Sequence, residues 1–416
     1  MTKSTYKTTK FACYAAYFTM SSIFCVPPLL FVTFREMYGI SYTLLGTLVL
    51  VNFCTQLGVD LIFTLFTKHF NTKLVIRVMP IITSAGLFMY ALIPTFFPSI
   101  AYVGLLSGTV VFSVSAGLSE VLLSPLIAAI PSDNPQRDMS TLHSLYAFGV
   151  FTMVLISTAF FVLFGSEHWV YLIVFLALLP LIPAVLFMTS PMPNMDIHNT
   201  KNEKSASSKR RSVGLALFVL CIFCGSCAEN VMASWLSSYM ENALGIDKSF
   251  GDVLGVAMFA ILLGLGRILY ARFGRNISRV ILCGMIGSVV CYVTVGISSS
   301  VIVAFIACIL TGLCTSMLWP GNLIMMEENV PSAGVAAFAL MAAGGDLGAS
   351  VAPQLMGIVI DKVASSSLAQ DLSSTFGLTP EQIGMKTGML ITSAFPIVGI
   401  IAICSILNFY KKHTQN

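Results

Sequence analysis

The stretch VYLIVFLALLPLIPAVLFM (170–188) decides the fold class of this chain, because it is apolar throughout and carries no charged side chain. A helix needs about 20 such residues to cross the hydrocarbon core of a bilayer. The runs VGLLSGTVVFSVSAGL (103–118) and VIVAFIACILTGL (301–313) repeat the pattern. Of the 416 residues, 56% are hydrophobic and only 10% are charged, against about 25% charged in a globular domain. Most of the surface must therefore face lipid.

Apolar runs of this kind recur along the whole chain and predict an all-α membrane protein with twelve transmembrane helices. Apolar and polar residues show little strict alternation, which argues against a β-barrel. We expect the spanning helices near residues 11–34, 43–66, 75–95, 100–128, 139–164, 169–189, 213–242, 250–271, 278–297, 300–325, 333–360 and 387–410.

The basic residues predict the orientation in the membrane. With twelve helices both termini share one side, and all but four of the 22 Lys and Arg fall on that side. The four exceptions are Arg35, Lys248, Lys362 and Lys386. The positive-inside rule then places both termini in the cytoplasm, and we expect a multi-pass protein of the plasma membrane. Topology accounts for these charges, so the net charge of +4 does not indicate nucleic-acid binding.

A polar, basic stretch at 190–211 divides the chain into two predicted six-helix bundles, 1–189 and 212–416, and we expect it to be a cytoplasmic linker. A shift of 206 residues pairs Gly39-Ile40 with Gly245-Ile246, and a shift of 195 pairs Pro125 with Pro320. Two pseudo-symmetric bundles around a site near the bilayer midplane are typical of alternating-access transporters.

These features resemble the major facilitator superfamily over the whole chain: six plus six helices, basic loops after helices 2 and 8, and a Gly-Ile turn before each of those helices. Within it, HSLYAFG (143–149), GLSE (117–120) and AENVMASWLSSY (228–239) resemble the fucose permease-like branch of sugar/proton symporters. The resemblance implies the major facilitator fold and a proton-carrying acid in helix 4, which here is Glu120.

Charged groups inside predicted helices are few, and we expect five at bilayer depth. These are Asp60, Glu120, Glu229, Arg267 and Asp346. Each is costly in lipid and is therefore a functional candidate. In an apolar cavity, desolvation would let Glu120 bind a proton near neutral pH; the alternative is a protonated acid that only bonds a neighbour.

Glu229 and His143 are further candidates for proton coupling. Glu229 flanks a polar stripe formed by Ser226, Asn230 and Ser234, one helical turn apart. We expect this stripe to line the pathway, where water and substrate rather than a fixed partner offset the cost of the charge. The alternative is a helix–helix hydrogen bond without a transport role. His143 matches the family motif and would titrate or bond a hydroxyl group.

Substrate binding is predicted from polar and aromatic side chains inside the spans. Asn230 and Ser234 belong to the stripe, and Trp235 either stacks on a sugar ring or only packs. Trp319 and Asn322 lie at a proline kink of helix 10, which frees backbone carbonyls. Asn52 and Gln56, one turn apart on helix 2, are similar. Asp60, Arg267 and Asp346 are predicted gating or structural charges, with Asp346 a candidate partner of Arg267.

Nucleotide-binding loops, hydrolase motifs and metal-ligand spacings are missing from the sequence, so no enzyme activity is expected. CIFCGSC (221–227) lacks the fourth cysteine of an iron–sulfur run, and we expect neither metal nor cofactor. The chain is expected to be a monomer that moves a small, polar, sugar-like solute with protons. Two alternatives remain open: proton-coupled efflux of amphipathic compounds, and a membrane sensor that transports nothing.

Overall fold

The computed structural model describes residues 6–66, 69–133, 135–193, 209–330 and 334–411. Nearly all of them are helical, and twelve segments are long and apolar enough to cross a membrane. The predicted all-α fold with twelve spans is confirmed. Several spans consist of two helices in succession, because proline interrupts them.

The chain forms two compact units, and one helix contributes to both. Unit 1 comprises Met1–Ile40 and Val51–Lys201, and unit 2 comprises Ser41–Leu50 and Asn202–Asn416. The first eight helices are α1 Lys7–Leu29, α2 Phe31–Tyr38, α3 Tyr42–Phe66, α4 Thr72–Phe96, α5 Ala101–Ala129, α6 Pro135–Phe164, α7 Trp169–Leu178 and α8 Leu181–Thr189. The others are α9 Lys209–Ser238, α10 Lys248–Phe250, α11 Met258–Phe273, α12 Ile277–Ile297, α13 Val301–Thr315, α14 Leu318–Asn329, α15 Gly334–Ala364, α16 Ser367–Phe376, α17 Pro380–Thr392 and α18 Ala394–Lys411.

Two differences from the predicted helices have local causes. α16 was not predicted, and it begins where the Ser366 side chain accepts from the Ala369 amide and ends at Gly377, whose φ is 65°. The last span begins at Pro380 rather than near 387, because Thr379 and Gln382 form a capping box around its first turn.

The same turn precedes the second span, which begins with α3, and the eighth span, which begins with α10. Gly39 and Gly245 both have φ of 65°, a left-handed conformation that glycine adopts without steric cost. The residue two positions later caps the next helix: Ser41 Oγ accepts from the Leu44 amide and Asp247 Oδ1 from the Ser249 amide. This shared geometry supports the internal repeat.

Within each unit, glycines bring helix backbones into direct contact. In unit 1 a Cβ on Gly86 would lie 2.5 Å from the Phe112 nitrogen, and one on Gly108 would lie 2.6 Å from the Tyr90 nitrogen, so α4 and α5 pack without intervening side chains. In unit 2 a Cβ on Gly348 of α15 would lie 2.5 Å from the Phe223 carbonyl oxygen of α9. Small residues give membrane helices this close approach.

Candidate functional site

A single guanidinium group connects three spans of unit 2. Nη2 of Arg267 on α11 lies 3.5 Å from Oε1 of Glu229 on α9. Its Nε donates to the Ser316 carbonyl oxygen, between α13 and α14, at 3.1 Å. That carbonyl lacks its usual helical donor because Pro320, four residues on, has no N–H. The kink predicted at residues 319–322 thus frees a carbonyl oxygen, and a cation binds it.

The ion pair changes how the cost of Glu229 in the membrane is met. The Glu229 side chain is 18% exposed and that of Arg267 is 45% exposed. Oε2 of Glu229 is buried and has no hydrogen-bond partner among the described residues. The expectation that water and substrate alone would offset this charge was wrong, because Arg267 compensates it. One carboxylate oxygen nevertheless receives no hydrogen bond from the residues that the structure describes.

Part of the predicted polar stripe of α9 packs against another helix instead of lining open space. The Asn230 side-chain amide donates to the carbonyl oxygen of Ser226 at 3.0 Å and to its hydroxyl oxygen at 3.2 Å. A Cβ on Gly348 would lie 3.1 Å from the Ser226 Cβ, so this end of the stripe lies against α15. Ser234 is buried, whereas Asn230 is half-buried. Asn230 is the member of the stripe whose side chain is partly accessible.

The aromatic and amide candidates of unit 2 are more deeply enclosed than expected. Trp235 is 1% exposed and its indole N–H donates to the Pro353 carbonyl oxygen at 3.0 Å. Asn322 is 0% exposed and donates to the Leu318 carbonyl oxygen of its own helix. These contacts favour packing over sugar stacking or hydroxyl recognition. Trp319 is half-buried and lies against Gly345, where a Cβ would be 2.4 Å from its indole nitrogen.

In unit 1 the polar residues of α3 face α5. Asn52 Oδ1 accepts from the Gln56 amide at 2.9 Å and from the Ser113 hydroxyl at 2.6 Å. Asp60 continues the same face one turn later, and its Oδ1 lies 3.1 Å from where a Cβ on Gly117 would be. Asn52 and Gln56 are 8% and 3% exposed. The two amides bind each other and Asn52 also binds Ser113 of α5, so this pair links the two helices.

Glu120 extends this seam on α5 and differs from Glu229 in two respects. It shares a helix face with Ser113 and Gly117, both of which contact α3, so it points toward the interior of unit 1. It is nevertheless exposed to open space. It lies close enough to Tyr17 of α1 to interact electrostatically, and it forms no ion pair with any residue that the structure describes. It is an interior carboxylate for which the described part of the chain provides no cationic partner.

Two predicted site residues lie outside these groups. His143 belongs to α6, but its side chain falls outside the described residues, and its role stays a prediction. Asp346 is half-buried on α15, between the glycines at 344 and 348 that contact α9. The contacts of Arg267 given above are with Glu229 and Ser316.

One buried acid was missed in the sequence. Asp252 is 1% exposed, and its carboxylate accepts a hydrogen bond from the Ser237 hydroxyl. Lys248 lies 3.8 Å from Asp252 and 3.4 Å from Glu241. Asp252 lies near the start of the candidate span Lys248–Tyr270 and was not among the five charges expected at bilayer depth. The signal was the spacing of Lys248 and Asp252, four residues apart, which becomes one face once the helix starts before residue 250.

Comparisons with known proteins find the same architecture in a family of membrane proteins. The family model described as Major Facilitator Superfamily matches residues 11–353. Among curated protein sequences, none matches the chain significantly. Among solved structures, a bacterial homolog of the human lysosomal transporter Spinster, in an inward-facing and occupied conformation, has a TM-score of 0.82 at 14% identity, covering 99% of both chains.

Two further solved structures share the fold. The nucleoside transporter NupG has a TM-score of 0.68 at 14% identity, covering 96% of this chain and 98% of its own. The E. coli fucose:proton symporter has a TM-score of 0.58 at 14% identity, covering 97% of this chain and 99% of its own. At such identities the likeness concerns the fold.

Proposed function

The chain belongs to the Major Facilitator Superfamily, and from this membership we propose that it carries a small, polar, sugar-like solute together with protons by alternating access. Family membership indicates a transporter rather than an enzyme. The direction proposed is uptake across the plasma membrane, by a monomer with both termini in the cytoplasm. The basic residues of the predicted cytoplasmic loops support this orientation.

The observation that carries the proposal is the setting of Glu120. A proton carrier must gain and lose its proton within each cycle, so a carboxylate held by a fixed cation is poorly suited to the task. Glu120 faces the interior of unit 1, has open space beside it and has no cationic partner among the described residues. Glu229 would have to give up its contact with Arg267 on protonation. Glu120 is therefore the proposed proton carrier, and Glu229 the second acid.

Solute recognition is proposed for the half-buried polar groups. In unit 2 these are Asn230 and Trp319, because the other candidates are enclosed by protein contacts. The fold is shared with a fucose:proton symporter and with a nucleoside transporter. Both names refer to hydroxyl-bearing solutes, and side-chain amides and indole rings suit such solutes. The proposal of a sugar-like solute therefore rests on the residues of this chain, together with a fold that such carriers also use.

The test begins by finding a solute. The purified protein is screened by thermal shift against monosaccharides including fucose and xylose, against nucleosides including uridine, and against small organic acids. The compound that raises the melting temperature most is then used in proteoliposomes. With one proton per solute and no membrane potential, a gradient of one pH unit supports about tenfold accumulation.

Glu120→Gln should abolish accumulation driven by the pH gradient while preserving counterflow of labelled solute, because the amide cannot carry a proton. Glu167→Gln is the matched control, since that side chain is 64% exposed in a loop of the same unit; it should accumulate solute like the unmodified protein. A Glu120→Gln variant that still concentrates solute would exclude Glu120 as the carrier. Accumulation only under the reversed gradient would indicate efflux instead.

A further inference from the structure

A groove of about 350 Å³ lies between α12 and α13, entirely inside unit 2. Its lining includes Val280 and Cys283 of α12, Leu313 of α13 and Met317 at the kink that follows α13. These residues belong to the ninth and tenth candidate spans, so the groove lies at membrane depth. Its volume falls within the usual range of ligand pockets, about 300–1,000 Å³.

Close helix packing gives the groove fixed walls. A Cβ on Gly284 of α12 would lie 2.5 Å from the Cys314 carbonyl oxygen, so the backbones of α12 and α13 touch beside the groove. From the other side, a Cβ on Gly266 of α11 would lie 2.2 Å from the Ser316 hydroxyl oxygen and 3.2 Å from Leu313. Because α13 is packed against both neighbours, the groove is a fixed feature of this helix packing.

The helix faces that continue from the groove are apolar and exposed. Ile286 and Val290 of α12 are 47% and 59% exposed, and Ile306 and Leu310 of α13 are 50% and 41% exposed. The two residues of each helix lie one turn apart, on the same face as a residue of the groove lining. Exposed apolar side chains inside a span contact lipid tails, which are as apolar as leucine. An acyl chain therefore has continuous apolar surface on which to lie.

The end of the groove nearest the turn between α11 and α12 carries positive charge. Arg279 lines the groove, Arg272 lies in the last turn of α11, and Arg275 lies between the two helices. All three are exposed, and none forms an ion pair with a residue that the structure describes. Residues 272–279 contain no acid. The phosphate of a lipid headgroup is the complementary group at this depth, because the planar fork of N–H donors in arginine matches phosphate.

We propose that the groove binds one anionic phospholipid, with its phosphate at Arg275 and Arg279 and an acyl chain between α12 and α13. An arginine near the end of a span extends its guanidinium to the headgroup level while its methylene groups stay among the lipid tails. Basic pockets between helices on the cytoplasmic side bind acidic headgroups in this way, and the predicted orientation places these arginines on that side. The inference goes beyond the proposed function, because it depends on neither the solute nor proton coupling.

Native mass spectrometry of the detergent-solubilised protein tests the headgroup contacts. Palmitoyl-oleoyl phosphatidylglycerol (POPG) and the corresponding phosphatidylcholine (POPC) are titrated in parallel, and POPG should bind more tightly. Each arginine near an anionic lipid contributes about fivefold to affinity, so Arg279→Gln should weaken POPG binding about fivefold and the double variant with Arg275→Gln about 25-fold. Lys362→Gln, which removes an exposed charge at the end of α15, is the matched control and should bind POPG like the unmodified protein. Equal affinities for POPG and POPC would overturn the proposal.

The native thiol of Cys283 locates the bound lipid, because it is exposed and lines the groove. Saturating POPG should slow its reaction with N-ethylmaleimide several-fold, whereas POPC and inorganic phosphate should not. Cys404, an exposed thiol on α18 of the same unit, is the control and should react at an unchanged rate. Equal slowing of both thiols would indicate a general coat of lipid, and protection by inorganic phosphate would indicate a site for free anions. Either result would overturn the proposal.

Filling the groove tests the acyl chain separately from the charge. Cys283→Trp places an indole ring in the groove and should weaken POPG binding several-fold in native mass spectrometry, although every arginine is retained. Ile286→Trp lies one turn further along the same exposed face, outside the groove lining, and is the matched control that should bind POPG like the unmodified protein. Equal affinities in these two variants would show that the arginines hold the headgroup without the groove, and would overturn the proposed site.

Discussion

Removing Arg267 should cost far more stability than removing the charge of its partner. In Arg267→Gln the Glu229 carboxylate loses its cation while its side chain remains 18% exposed and its Oε2 has no described donor. Breaking a fully buried pair in this way costs about 3–5 kcal/mol, whereas exposed pairs contribute about 0–1 kcal/mol. Because the Arg267 side chain is 45% exposed, the pair lies between these two cases and we expect a loss of about 2 kcal/mol.

The reverse substitution, Glu229→Gln, leaves the Arg267 guanidinium with a remaining hydrogen-bond acceptor. In Glu229→Gln the guanidinium keeps its hydrogen bond to the Ser316 carbonyl oxygen, and the neutral amide introduced at position 229 still offers it an acceptor, so we expect a loss below about 1 kcal/mol. The double variant has no stranded charge and should be more stable than Arg267→Gln alone. Its cost would then fall short of the sum of the two single costs, which is the signature of coupled residues.

The free energy of unfolding can be measured by SDS titration in mixed micelles, followed by circular dichroism. Arg275→Gln, an exposed arginine just beyond the same helix, is the matched control and should change stability by less than about 0.5 kcal/mol. Equal losses for Arg267→Gln and Glu229→Gln would refute the reasoning from solvation. Strict additivity in the double variant would show that the two side chains do not interact.

Two other expectations follow from the fold. Gly108→Ala should destabilise unit 1 by about 1–3 kcal/mol in the same titration, because its methyl group would lie 2.6 Å from the Tyr90 nitrogen. Gly58→Ala, whose methyl group would have no atom within 4 Å, should instead stabilise its helix by about 0.5–1 kcal/mol. A similar loss of stability for both variants would contradict the direct contact between α4 and α5. In sealed vesicles, protease should cleave the linker at 190–211 only from the cytoplasmic side, and cleavage from outside would contradict the predicted orientation.

The spans could be predicted because the bilayer imposes a length and a composition that the sequence shows directly. α16 could not, because its ten residues are too short and too polar to resemble a span, and its boundaries depend on the Ser366 cap and Gly377. Nothing in residues 41–50 distinguishes them from the rest of their helix. They belong to unit 2, where the amides of Tyr42 and Thr43 donate to Asp361 of α15, more than 300 positions away in sequence.

For the candidate site, periodicity placed residues on a common face but could not identify their partners. Asn52, Gln56 and Asp60 recur every four residues, so their shared face was predictable. The Ser113 hydroxyl that binds Asn52 belongs to another helix, and only tertiary packing reveals it. Helix order likewise does not show which acid lies within reach of Arg267, and the ion pair with Glu229 is visible only in the structure.

The direct backbone contact between α4 and α5 has a mechanical consequence. At Gly86 and Gly108 there is no side chain to rotate aside, so one helix cannot slide or roll past the other without main chain striking main chain. The pair must then be displaced as a single stiff rod of two helices. Glu120 is attached to that rod, and a force arising at its carboxylate would be borne by both helices rather than absorbed by the bending of one.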